Sequence, residues 1–473
     1  MDVEFDRNRE VKVSDFEETV IQEQDVFDES PEHDIRYKTL SWQFVTLLMI
    51  SEIVSNGMLS LPSSLAVIGI APALILIVFL GVFGLFTAKL LIDFKLHHPS
   101  VHSMYTFYTM RDRGDAGYII GGPILREVLG FGTIIFAIFA TGGELISGQQ
   151  ALSILSNDGI CSVFSVLIFA AATFLLSLPR TLGNLSWLGL FSTALIVVSG
   201  IVGMVGAGAS PVPGRIVGAA MSNNFYEAFL AVTNPVFSYA GHFMRVAFGM
   251  LIPPMEFIRG LGFFILISEM RRPQDAMKAA WCLQGFATIF YTLFALVVYL
   301  YPGNTVESPA FLSLSPKWAK AAFAIALGNF LIAGALYIHT AAKLLYVRNF
   351  RHTRHISTHT ILGWSIWIIL CLGATATAFV LAVTLPIFSY LIGITASLFA
   401  AWYTYGLAGF FWLHDTYHSQ GGRKALVRRP LGTTVAILTI LAGAFTCVVG
   451  TYVSVQLIIN AYREGIVGSP FIC

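Results

Sequence analysis

The stretch Ser51-Glu52-Ile53-Val54-Ser55-Asn56-Gly57-Met58-Leu59-Ser60-Leu61-Pro62 sets a carboxylate, three hydroxyls, an amide and a glycine inside an apolar run, Trp42–Leu61. Ser55, Asn56 and Gly57 are three poor helix formers in a row. A helix interrupted there bares two kinds of peptide group. The half that ends leaves carbonyls without partners, and the half that restarts leaves N–H groups carrying partial positive charge. Carbonyls suit an ammonium, and N–H groups at a helix start suit a carboxylate. A zwitterionic amino acid has both. The same residues also fit a helix with a polar kink, or a face of small residues for close packing.

A second stretch, Thr233-Asn234-Pro235-Val236-Phe237-Ser238-Tyr239-Ala240-Gly241-His242, interrupts the sixth apolar run. Pro235 removes a backbone donor, Ala240-Gly241 permits unwinding, and His242 titrates near neutrality. The candidate substrate-binding residues are therefore Val54, Ser55, Asn56, Gly57 and Met58 with Ser238, Tyr239, Ala240, Gly241 and His242. Four more groups are candidates for coupling or gating: Glu52, one helical turn before Asn56; Glu144, among small residues in Thr141-Gly142-Gly143-Glu144; Glu269, beside Arg271 and Arg272; and Asn329 in the eighth run. An ionisable residue inside a membrane span is a functional candidate by default. Structural hydrogen bonding competes with that reading for Glu52, Glu144 and His242, and a solvated helix end competes for Glu269.

The elements that position these residues follow from composition. The 473 residues are 56% hydrophobic and 12% charged, with a mean hydropathy of +0.73. A soluble domain is nearer about a quarter charged, so the solvent here is lipid. A helix needs about 20 apolar residues to cross the hydrocarbon. Eleven runs qualify: Trp42–Leu61, Ile70–Phe94, Ile124–Leu152, Cys161–Leu178, Leu185–Gly206, Phe225–Met244, Ala279–Tyr301, Ala319–Tyr346, Ile361–Val383, Phe388–Leu413 and Thr433–Ala461. They are continuous rather than alternating, which excludes a barrel. With the N-terminus inside, the inner segments collect fifteen lysines and arginines against four outside, Arg215, Lys317, Lys320 and Arg463. That bias fixes the orientation. The predicted division is a disordered cytoplasmic tail over 1–38, a transmembrane domain over 39–461 and an extracellular tail over 462–473.

Several classes drop out. No signal peptide, Walker loop, zinc spacing or serine-triad signature is present, so no metal, cofactor or enzymatic activity is expected. A net charge of +1 argues against a nucleic-acid partner. The five cysteines, Cys161, Cys282, Cys371, Cys447 and Cys473, are scattered and predict no disulfide framework. Paired interruptions in helices one and six point to a carrier built from two inverted halves with its site between them.

Residues 52–62, Phe237–His242, Ile267-Ser268-Glu269-Met270 and Gly468-Ser469-Pro470-Phe471-Ile472-Cys473 resemble the amino acid/auxin permease family, a branch of the amino acid–polyamine–organocation transporters, and in particular the fungal neutral amino acid permeases. The resemblance runs from Tyr37 to the end, minus one segment. It implies eleven helices, ten of them in two inverted five-helix repeats with helices one and six broken, plus one extra. It implies symport of neutral amino acids driven by protons rather than sodium, with alternating access and substrate ends held by backbone around Ser55–Gly57 and Tyr239–His242. It places the chain in the plasma membrane, with the vacuolar membrane second. A monomer is expected. An amino-acid sensor on the same scaffold is the alternative.

Residues 245–262 depart from that pattern. Similar proteins run almost directly from the Gly-His-Phe region into Phe-Ile-Leu-Ile-Ser-Glu-Met. Here eighteen residues intervene, with Pro253-Pro254 and the charges Arg245, Glu256 and Arg259. An unpaired arginine at the bilayer centre costs roughly 2.5–3.5 kcal/mol. The segment is read as a retained intron or a family-specific loop; in the second case transport is expected to be weak or absent.

Overall fold

The computed structural model describes residues 42–97, 116–180, 185–221, 224–240, 273–350, 355, 360–419, 421–467 and 471. Among them the regular elements are helices. In chain order these are α1 (Trp42–Ile53), α2 (Asn56–Ile68), α3 (Ile70–His97), α4 (Ala116–Ser156), α5 (Ser162–Ser177), α6 (Leu185–Ala209) and α7 (Phe225–Ser238). After the undescribed stretch come α8 (Ala276–Leu300), α9 (Pro316–Phe350), α10 (Ile361–Thr384), α11 (Phe388–Thr395), a π-helical stretch (Ala396–Gly406), α12 (Leu407–Ser419), α13 (Arg423–Arg428) and α14 (Pro430–Arg463).

Eight of these are long and apolar enough to cross a membrane, or nine if α1 and α2 form one bent span. Each of the eleven predicted runs has a helix in its place. Two fall short of spanning length: α5 has 16 residues, and α7 stops after 14, just before the undescribed stretch. Length and composition alone therefore give fewer than the eleven expected.

Polarity is arranged for lipid. Ile75, Phe79, Val82, Ile124 and Val448 lie exposed, while Ser55, Asn56, Glu144, Asn329 and Thr404 are buried. Apolar groups face outward and polar groups inward, which is the pattern a bilayer requires.

The first break is sharp. α1 and α2 are bent by 50° at Val54–Ser55. Ser55 has φ −67° and ψ −116°, outside the helical region, and the helix resumes at Asn56. α2 ends at Gly69, whose φ of +91° strongly favours glycine. A Cβ there would also stand 2.5 Å from Cα of Ala220. The chain over 218–221 is stitched to this corner by three backbone hydrogen bonds, Ile70 N to Gly218 O, Ala71 N to Ala219 O and Met221 N to Ile68 O.

The second interruption begins after Ser238, at the near edge of the Tyr239–His242 stretch read from the sequence. Pro235 does not end α7, which continues to Ser238. Proline frees the carbonyl four residues back, here Ala231 O, and the Ser64 hydroxyl of α2 donates to it at 2.8 Å. A neighbouring helix thus replaces the missing donor. The turn Tyr239–Ala240 follows, closed by Ala240 N to Phe237 O at 2.9 Å.

Cysteine chemistry also differs from expectation. Cys161, just before α5, is disulfide-bonded, while Cys282, Cys371 and Cys447 are free. No other cysteine lies within a hundred residues of Cys161 in the sequence, so no local spacing marks it as bridged.

Candidate functional site

Val54, Ser55, Asn56, Gly57 and Met58 are all buried at the first break. The Ser55 side chain makes no cap to α2. A helix start shut away from water without a side-chain cap leaves orphan N–H groups pointing at whatever lies ahead. At the end of α1 the Ser51 carbonyl is reached by Asn329 Nδ2 and the Ile53 carbonyl by the Tyr291 hydroxyl.

The Ser55 hydroxyl instead turns to the scaffold. Its Oγ lies 3.0 and 3.1 Å from the two carboxyl oxygens of Glu144 on α4, and 2.7 Å from Oδ1 of Asn329 on α9. Asn329 Nδ2 donates to Ser192 Oγ on α6 at 2.7 Å and to the Ser51 carbonyl at 3.4 Å. The Ser51 carbonyl can only accept, so the amide nitrogen belongs on that side and the amide oxygen faces Ser55. Ser147 Oγ, one turn along α4 from Glu144, donates to Asn56 Oδ1 at 2.7 Å. Two scaffold helices, α4 and α9, therefore meet the break through polar side chains, and α6 braces Asn329 behind them.

Hydrogen counting gives this node a state. A serine hydroxyl has one hydrogen. Its shortest contact, to Asn329 Oδ1, takes that hydrogen. Glu144 can then bond to Ser55 Oγ only if the carboxyl brings its own proton. An ionised Glu144 would draw the serine hydrogen away and leave two oxygen lone pairs facing each other across the Ser55–Asn329 contact.

The half-helices α2 and α7 are stapled together. Ser238 Oγ donates to Gly57 O at 2.8 Å, and Asn234 Nδ2 lies 3.2 Å from both Ser60 O and Ser64 Oγ. A Cβ on Gly57 would come within 2.8 Å of Cα of Ser238. Only a bare α-carbon lets the two backbones approach this closely.

The structure thus brings together eight of the ten predicted binding residues: Val54, Ser55, Asn56, Gly57 and Met58 with Ser238, Tyr239 and Ala240. Gly241, His242 and Glu269 lie outside the described residues. Glu144 and Asn329 join the node directly, and Glu52 is buried in the last turn of α1. A small pocket of about 10 Å³ sits between Pro386–Tyr390 and the end of α14 near Ile458 and Tyr462, and no residue of either break lines it.

Sequence reasoning missed Ser147, Ser192, Tyr291 and Thr404. Tyr291 on α8 donates to Ile53 O and lies 3.0 Å from Ser238 O. Thr404, in the π-helical stretch, donates to Ala240 O at 3.3 Å. A hydroxyl in an aromatic-rich span carries no local signal of this role; a π-helical stretch, often found at functional sites, marks Thr404 only once coordinates exist.

The model of a family described as "Transmembrane amino acid transporter protein" matches residues 38–252 and 260–456. The chain belongs to that family. Transmembrane amino acid transporters are membrane carriers rather than enzymes. Among the family's fungal relatives, a "Transmembrane transporter" of Gibberella moniliformis is 27% identical over 452 residues, covering 95% of this chain and 90% of that protein. The "N amino acid transport system protein" of Neurospora crassa is 27% identical over 458 residues, covering 94% and 90%. The fold of this transmembrane amino acid transporter is shared with solved carriers of low sequence identity. MhsT in complex with L-phenylalanine has a TM-score of 0.50 at 13% identity, covering 90% of this chain and 100% of that one. An outward-open Na+-coupled sialic acid symporter has a TM-score of 0.50 at 9% identity, covering 86% and 89%.

Proposed function

We propose that this transmembrane amino acid transporter carries neutral amino acids together with protons, by alternating access around the two breaks. The observation that carries the reading is the buried start of α2 at Asn56, uncapped by Ser55, set against the carbonyls of Ile53 and Ser238. Free N–H groups donate to the carboxylate, and the carbonyls accept from the ammonium. No charged side chain is needed at either end, which fits a zwitterion of zero net charge. The Neurospora relative, an amino acid transport system protein, supports an amino acid as substrate.

Competition tests it. In uptake of a tritiated mixture of neutral L-amino acids, analogues lacking either the amino or the carboxyl group should compete at least about tenfold more weakly, since each loses charge-assisted hydrogen bonds. Equal competition by propionate or propylamine would sink the reading.

Glu144 is the group to which we assign the coupled proton, on the hydrogen count at Ser55. Glu52 orients the unwound segment from the last turn of α1. Glu52→Gln is accordingly expected to keep the dependence of uptake on a pH gradient; loss of that dependence would move the proton to Glu52.

The orientation we favour has the N-terminus in the cytoplasm, within the plasma membrane. Disulfides persist in oxidising compartments, so the bridge at Cys161 supports an outward-facing α4–α5 connection.

Residues 245–262 we take to be an insertion that weakens transport. The family match is interrupted over 253–259, inside that segment. Removing 245–262 is expected to raise uptake at least about threefold over the full chain, because it removes charges that are costly near the bilayer. Equal uptake with and without the segment would make it an ordinary loop.

A further inference from the structure

Tyr291 is fully buried in α8, in the seventh predicted span. Its hydroxyl reaches two peptide oxygens, Ile53 O and Ser238 O. Ile53 is the last residue of α1 and Ser238 the last of α7. One side chain therefore meets the negative ends of both interrupted helices. The ring is held in place by an edge-to-face contact with Tyr239, centroids 5.3 Å apart at 72°. The Tyr239 hydroxyl is tied in turn to Thr288 Oγ1 at 3.2 Å, one turn before Tyr291 on the same helix.

A phenol has one hydrogen. It satisfies one of the two carbonyls and leaves the other facing an oxygen. Helix C-termini concentrate partial negative charge, and two of them converging on one point make a better seat for a donor with several hydrogens and a positive charge. An ammonium has three hydrogens and that charge.

We propose that the Tyr291 hydroxyl is a built-in stand-in for the substrate's ammonium. It bridges the two half-helices while the carrier is empty and gives the carbonyls up when an amino acid arrives. The proposal rests on the zwitterion reading above and adds a kinetic consequence. A carrier that performs net transport must reorient empty once per cycle. Without a donor between them, the Ile53 and Ser238 carbonyls repel each other, and the empty form cannot close. The loaded form still closes, because substrate supplies its own hydrogens. Tyr291 thus separates a net transporter from a pure exchanger. It is a positioning residue that acts through the backbone of the site.

The test uses the full-length chain in proteoliposomes with a tritiated mixture of neutral L-amino acids. Net uptake is measured into empty vesicles, and exchange into vesicles preloaded with the unlabelled mixture. For Tyr291→Phe, net uptake is expected to fall about tenfold or more while exchange stays within about threefold of wild type, since only the empty form loses its donor. A partial fall by the same factor in both modes, or no fall in net uptake, overturns the proposal. Should Tyr291→Phe be inactive in both modes through misfolding, Tyr291→His decides, because its ring keeps an N–H donor. There the ratio of net uptake to exchange is expected within about threefold of wild type, and a tenfold drop in that ratio overturns the stand-in role. A wild-type chain that moves no amino acid in either mode removes the transport reading itself, and the stand-in with it.

Discussion

Glu144→Gln is expected to keep amino-acid exchange within about threefold of wild type, as one neutral hydrogen bond replaces another, and to abolish accumulation driven by a pH gradient. Glutamine copies the protonated carboxyl: its amide donates where the O–H would, so Ser55 keeps its bond to Asn329. What glutamine lacks is the ability to release the proton. With Glu144 neutral, the Ser55 hydrogen points to Asn329, and the break is fastened to α9. With Glu144 ionised, that hydrogen swings to the carboxylate, and the 2.7 Å contact to Asn329 becomes repulsive. The carboxyl thereby sets whether the break is held by one scaffold helix or two. Few other charges act on this switch. The described helices α2, α5, α6 and α10 contain no Asp, Glu, Lys or Arg. α1 contributes Glu52, and α9 contributes Lys320 and Lys317, nine and twelve positions before Asn329, with His339 and Lys343 ten and fourteen beyond it, all roughly 14–21 Å along a helix. Uptake into proteoliposomes at equal and at unequal pH checks this. A Gln variant that still concentrates substrate under a gradient removes Glu144 from the coupling role.

Gly57→Ala is expected to reduce uptake by more than about tenfold, the consequence of overpacking that typically costs about 1–3 kcal/mol. The added methyl would sit 2.8 Å from Cα of Ser238, and backbone cannot rotate aside as a side chain can. The methyl drives α2 and α7 apart, breaks the Ser238–Gly57 hydrogen bond and widens the gap that substrate spans. Ser238→Ala offers the contrast: it loses that bond without the collision and should cost only about threefold. Comparable losses in both variants would mean that the bond, rather than the close approach, is what matters. Surface expression measured alongside separates transport from folding.

Local chemistry in the sequence was enough to place the first break. Ser55, Asn56 and Gly57 announce it because each is a poor helix former and a polar row has no other place in a bilayer. The second interruption was legible from Ala240-Gly241, while Pro235 marked only a weakened helix whose repair the sequence does not show. In the folded chain Ser64 supplies a donor to Ala231 O, so the helix runs on to Ser238. That rescue comes from another helix, 167 residues away, and leaves no mark near the proline. The partners of the breaks were illegible for the same reason. Glu144 and Asn329 stood out as polar groups in apolar runs, but their meeting at Ser55 depends on how α4 and α9 pack. Tyr291 had no such contrast, because phenols are common among the aromatic residues of these spans. The Cys161 bridge was hidden by its lack of any local cysteine partner.

The most direct measurement is concentrative uptake. Proteoliposomes holding the purified chain would be given the tritiated neutral L-amino acids under a pH gradient, acid outside. The account predicts accumulation above the external concentration, up to about tenfold per pH unit for one proton per substrate, and collapse of that accumulation when a protonophore is added. Binding of amino acids with no flux, or flux that stops at equal concentrations whatever the gradient, would contradict it.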